Sequence, residues 1–169
     1  MLGNLNPLFE EKYNQDKNKE RIEVVSKKQT SRKRNMHFDK AHDVKFPVSI
    51  HLRKELKSSL KRFKYYFPEI EIRETKYNTL LLLYALQNIH IVNWEQDYCD
   101  SKNYMHTKPP EFYYQEIGGL NGIAMENGIS DRRAVYMMVT SALKDIEKGD
   151  NYSAIFQRLQ SIKRKVTWF

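Results

Sequence analysis

Residues 45–91 constrain the fold more tightly than any other stretch of the chain. The run Lys45-Phe46-Pro47-Val48-Ser49-Ile50-His51-Leu52 alternates with a period of two, the mark of a strand with one buried face. Val48, Ile50 and Leu52 fall on that face, and Lys45, Pro47, Ser49 and His51 on the other. From Arg53 to Phe67 the period becomes helical, with Leu56, Leu60, Phe63 and Phe67 in one stripe. The remaining faces carry Arg53, Lys54, Lys57, Lys61, Arg62 and Lys64 against Glu55 alone. Pro68 ends this helix, Glu69 to Glu74 form a loop, and Thr75 is the expected N-cap of a second helix. There Leu80, Leu81, Leu82 and Leu83, followed by Tyr84, Ala85 and Leu86, cover every direction around the axis, which a surface helix does not tolerate. One strand and two helices of this size cannot close a core, so the order of elements predicts a partner chain.

The segment resembles the ribbon-helix-helix family of dimeric DNA-binding proteins. The resemblance implies that two chains pair their strands into an antiparallel ribbon lying in the DNA major groove, above a core of four interlocked helices. Val48, Ile50, Leu52, Leu56, Leu60, Leu80, Leu81, Leu82 and Leu83 would then form the core of a homodimer. On the family pattern Ser49 and His51 stand where side chains read base edges, with Pro47 at the outermost of the three positions. Serine bonds several base edges, and histidine donates to guanine or phosphate. Pro47 departs from the polar residue usual there and lacks a backbone donor. Lys45 and Arg53 border this surface as further DNA contacts. The N-terminal amides of the second helix suit a phosphate clamp that fixes the ribbon's register, formed around Thr75, Lys76, Tyr77, Asn78 and Thr79.

The chain-wide balance agrees with a polyanionic partner: 169 residues carry a formal net charge of +8. A lone cysteine, Cys99, excludes an intramolecular disulfide framework and fits a reducing compartment. The longest apolar run, Leu80 to Leu86, falls far short of the ~20 residues a bilayer span needs, so a cytoplasmic protein without membrane association is expected. Glycine-rich nucleotide loops, paired-histidine metal motifs and spaced nuclease carboxylates are missing. His37, His42, His51, His90 and His106 are scattered, and neither Glu95, Asp97 and Asp100 nor Cys99 with His106 follow a ligand pattern. The sequence thus predicts neither an enzyme nor a metal or cofactor site.

Four segments follow from composition. Residues 1–43 are polar and poor in apolar side chains, and are expected to be a disordered basic arm. Lys27 to Arg34, with Arg32, Lys33 and Arg34 at its end, would follow phosphates or enter a minor groove, or act as a solubilising linker. Leu2 to Phe9 is a candidate docking motif for another protein. Residues 44–92 are the segment that resembles a ribbon-helix-helix module, 93–110 a polar linker closed by Pro109-Pro110, and 111–169 a helical bundle. In the bundle Tyr113, Ile117, Leu120 and Ala124 share one face, weakened by Gly118-Gly119. Asn127-Gly128 ends that helix and Ser130 opens the next, whose stripe is Val135, Met138, Val139, Ala142, Leu143 and Ile146. A last helix from about Tyr152 buries Ile155, Leu159 and Ile162. The stretch Glu126 to Ser130 resembles the turn of a second ribbon-helix-helix unit, but no good strand precedes it. It is read as a bundle for oligomers or a partner protein, or as a helix-turn-helix adding DNA contacts through Asp131, Arg132 and Arg133.

The expectation is therefore a mainly helical chain with one short strand, acting as a homodimeric, sequence-specific binder of double-stranded DNA, with the C-terminal helices left for higher-order contacts on DNA or for another protein. The resemblance implies an accessory factor of plasmids or mobile elements, at transfer origins or in partition, or an autoregulating repressor. The alternative is a protein-binding adaptor whose basic face and C-terminal helices meet an acidic partner.

Overall fold

Ser49 decides where strand gives way to helix. In a computed structural model, which describes residues 41–99 and 101–166, its hydroxyl accepts a hydrogen bond from the Leu52 amide at 3.0 Å and caps a helix. The alternating run is thereby divided into strand β1, Val44–Pro47, and helix α1, Ile50–Tyr66. Ile50, expected in the core as a strand residue, is instead 70% exposed on the first turn of α1. Leu52, Leu56, Leu60 and Phe63 are buried, because their spacing fits the helix as well as Leu52 fits the strand. Pro68 follows the C-cap Phe67, and helix α2 spans Glu74–Gln87. Thr75 lies inside α2, not at its cap: Arg73 holds that position, and the Thr75 carbonyl accepts from the Thr79 hydroxyl at 2.7 Å.

A single 3-10 turn, Ile89–Ile91, leads into the polar segment read as a linker. That segment supplies a second strand, β2, Tyr104–Thr107, so the chain carries two strands among its described residues and not one. β2 pairs antiparallel with β1, with Lys45 opposite His106 and Phe46 opposite Met105. The same register runs from the Ala41–Pro110 bridge, through His42 N–H to the Pro109 carbonyl, to Val48 N–H donating to the Asn103 carbonyl at 2.8 Å. Four residues of mixed polarity carry too weak an alternation to announce a strand alone; the pairing with β1 makes them one.

After β2 come α3, Glu111–Gly118, the short α4, Ile123–Glu126, then α5, Asp131–Gly149, and α6, Tyr152–Val166. The chain breaks between α3 and α4 because Gly119 caps α3, its N–H donating to the Gln115 carbonyl at 3.0 Å. Leu120, expected on the buried face, is consequently 84% exposed in the break. Gly128 takes the left-handed conformation at φ 63°, and Ser130 caps α5 by accepting from the Arg133 amide.

The described residues therefore hold two successive strand-helix-helix units, and they interlock. β1 lies against α5 and β2 against α2, so each strand covers the last helix of the other unit, while α2 and α5 pack on one another. Helix α6 adds to the cover over α2. Leu80, Leu81, Leu82 and Leu83 are each no more than 1% exposed. These leucines, for which the sequence reading calls on a partner chain, are covered by elements of the same chain. Ser59 on α1 ties the layers together, its hydroxyl lying 2.6 Å from the Tyr77 hydroxyl on α2 and 3.3 Å from that of Tyr152 on α6. Residues on either side of positions 92 and 110 belong to one packed unit.

Candidate nucleic-acid interface

The ribbon has one dry and one wet face. Phe46, Met105 and Thr107 are buried beneath it, with Val44 half-buried beside them. Residues directly opposite one another share a face. Lys45 and His106 therefore stand side by side on the outer surface, Lys45 exposed and the His106 side chain 41% exposed. Asp43 and Lys108 extend this surface along one edge, and Tyr104 along the other. His106 Nδ1 lies 2.8 Å from Asp43 Oδ1. That hydrogen bond, opposed by slight desolvation and aided by the charges of His106, Lys108 and Lys45, holds the Asp43 carboxyl below its ordinary range.

Helix starts flank both ends. At the Tyr104 end, the Arg132 guanidinium from the first turn of α5 sits over the Tyr104 ring at 5.4 Å, and Arg53 of α1 donates to the Tyr104 carbonyl at 3.0 Å. Arg133 covers the Tyr98 ring at 5.7 Å. At the Lys108 end, the Lys108 amide donates to the Thr79 hydroxyl at 2.8 Å, and Asn78 Nδ2 donates to the His106 carbonyl at 3.3 Å, fixing β2 on the start of α2. Arg73 and Lys76 are exposed there. Chemically the face offers two ammonium donors, an imidazole, a phenol and one carboxylate, between two cationic helix starts.

The structure redistributes the residues named from sequence. Lys45 stands at the centre of the outer face, and Lys76 and Thr75 at its margin, exposed and half-buried respectively. Arg53 is half-buried and engaged with Tyr104. Pro47 stands on the outer side opposite Tyr104 but is buried, so it presents nothing to a groove. Ser49 is a helix cap, and His51 lies on α1 with Nδ1 3.3 Å from Glu55 Oε2; neither is on the ribbon. Tyr77, Asn78 and Thr79 are buried and spent on internal hydrogen bonds, unlike the phosphate clamp expected of them. Burial pushes the Tyr77 phenol well above its usual range, against the opposing hydrogen bond from Ser59. Arg32, Lys33 and Arg34 lie outside the described residues.

Asp43, Tyr104, His106 and Lys108 were not legible as a site from sequence, because their face exists only once the segment before Pro109-Pro110 is paired with β1. The available signal was the proline pair itself: Pro110 holds the N-cap position of α3 shortly after β2, as Ser49 holds that of α1 shortly after β1, though without a side-chain cap bond. Among the described residues no group of His, Cys, Asp and Glu is arranged to hold a metal ion, and Cys99 is a half-buried free thiol. No described helix is long and apolar enough to cross a membrane. No protein-family model, curated protein or solved structure matches the chain.

Proposed function

We propose that this chain binds double-stranded DNA in a sequence-dependent way, laying the outer face of the β1–β2 ribbon in the major groove. The observation that carries the reading is the two-stranded ribbon itself, dry beneath and cationic above, with the first turns of α2 and α5 at its ends. The major groove is about 12 Å wide and admits a two-stranded ribbon. In that position Lys45 and Lys108 suit the guanine O6 and N7 acceptors, and His106 donates to guanine or phosphate. Arg132, Arg73 and Lys76 meet the backbones on either side and set the register. Read this way, the two strand-helix-helix units form a ribbon-helix-helix assembly within one chain, and the resemblance noted above extends to both units. The role it implies is an accessory factor or autoregulating repressor of a plasmid or mobile element.

The test is selection of duplexes from a random library by the full chain at about 0.15 M salt, where the Debye length of ~8 Å suppresses weak surface attraction. Enrichment of a defined motif is the expected result. Retention of duplexes without any motif would leave a nonspecific basic surface. No retention would favour the adaptor, whose basic helix α1 meets an acidic protein.

A further inference from the structure

We infer that the target is an asymmetric sequence, not an inverted repeat, and that one copy of the chain reads it. The inference rests on the DNA-binding reading above. A ribbon built from two identical chains presents the same side chains twice about its axis, and its target mirrors that symmetry. Here the ribbon has the geometry of such a pair without the identity. The displacement that takes the cap Ser49 onto the cap Pro110 also takes Lys45 onto His106, its directly opposite neighbour, so the pseudo-axis passes between those two residues. It takes Asp43 onto Tyr104 and Pro47 onto Lys108.

At every one of these positions the chemistry differs. Asp43 is an acceptor, suited to the cytosine amino group, and its counterpart Tyr104 is an aromatic ring under the Arg132 guanidinium. Pro47 is buried and has no donor, and its counterpart Lys108 is an exposed ammonium suited to guanine. On the axis, a lysine faces a histidine that is tied to Asp43. The first helices differ in the same sense. α1 is rich in lysine and arginine, whereas α3, in the corresponding place, carries Glu111 and Glu116 and neither Lys nor Arg. One half of the ribbon therefore demands bases, and tolerates flanking phosphates, that the other does not.

The experiment takes the motif selected above and compares three duplexes: the motif itself, its left half repeated as an inverted repeat, and its right half repeated likewise. Affinity and the mass of the complex are measured for each with the full chain. The expected result is one chain per motif, bound about tenfold or more tightly than by either symmetrised duplex, since each wrong base pair costs roughly that much. A second selection with Lys108→Ala, an exposed side chain whose loss leaves the backbone bond to Thr79 in place, is expected to relax the motif in one half only. A selected inverted repeat occupied by two chains, or a Lys108→Ala motif relaxed equally in both halves, would overturn the inference and leave DNA binding standing. Failure to select any motif would overturn the DNA-binding reading itself.

Discussion

Leu82→Ala distinguishes a core closed within one chain from one that needs two. Leu82 is wholly buried on α2, in the cluster shared with β1, β2, α1, α5 and α6. Truncation removes its isobutyl contacts and leaves a cavity in a layer braced on every side, a setting in which Leu→Ala costs about 3 to 5 kcal/mol. With a urea dependence of ~1–3 kcal/mol/M for a domain of this size, the unfolding midpoint is expected to drop by about 1 to 5 M. The decisive variable is protein concentration. Were the leucines covered by a second chain, unfolding would include dissociation, and a roughly hundredfold rise in concentration would add ~2.7 kcal/mol of apparent stability, as large as the mutational effect. A core closed in one chain has no such term. Urea titrations followed by far-ultraviolet circular dichroism at about 1 and about 100 μM should superimpose for the parent and for Leu82→Ala alike, with a constant gap between the two proteins. Midpoints that climb with concentration would refute the single-chain core.

Three further outcomes follow from particular contacts. Ser49→Ala should lower stability by about 1 kcal/mol through loss of the α1 cap while leaving the selected DNA motif unchanged; a motif altered at one base pair would restore Ser49 as a reader. Burial, reinforced by the hydrogen bond to Asp145, pushes the Tyr84 phenol up to about 12, and the bond to Asp131 with burial does the same for Tyr114. Raised folded-state values mean that this stabilisation is complete below the unfolded value near ~10 and is lost as pH rises from there through about 12. Tyr84→Phe should therefore be less stable at neutral pH by about 1 kcal/mol, yet show a shallower loss in that alkaline window by denaturant titration; an unchanged slope would contradict the assignment. Gly119→Ala places a methyl against the Gln115 carbonyl, to which Gly119 itself donates, so about 1 to 3 kcal/mol should be lost by thermal unfolding, and a neutral result would mean that the α3 end shifts freely.

Local chemistry made much of the helical framework legible. The cap at Ser130, the left-handed Gly128, the stop after Phe67 and the all-round leucines of α2 each rest on a rule that acts over a few residues. The ribbon did not follow in the same way. The alternation carries its first strand on through Ser49, Ile50 and His51, because period-two and helical spacing coincide at Leu52 and only the cap separates them. Its second strand owes its form to a partner far away in sequence, and no local signal in Tyr104-Met105-His106-Thr107 reports that pairing. Long-range partners also decide the polar groups at the start of α2: Tyr77 and Asn78 look free in a first turn, but Tyr77 bonds to Ser59 of α1 and Asn78 to the His106 carbonyl of β2. Arg158 of α6 shows the same dependence on distant partners, a basic residue buried with its guanidinium 5.2 Å from the Tyr113 ring.

Holding both strand-helix-helix units in one chain changes what the fold can do. When two identical chains make the ribbon, any substitution appears twice, and the strands meet only as fast as the chains collide. In one chain the strands are separated by about sixty residues, and closing that loop costs only slowly more as the loop lengthens, so pairing is independent of concentration. Their non-local pairing slows folding relative to a helical hairpin, and the crosswise cover of α2 by β2 and of α5 by β1 forces the two units to fold together. In exchange each half is free to change alone. α1 is long and cationic while α3 is short and acidic, and Lys108 stands where the other strand buries a proline. The asymmetry of the outer face follows from joining the two units covalently, and it gives a single molecule of this chain the left and the right that the proposed reading of an asymmetric duplex requires.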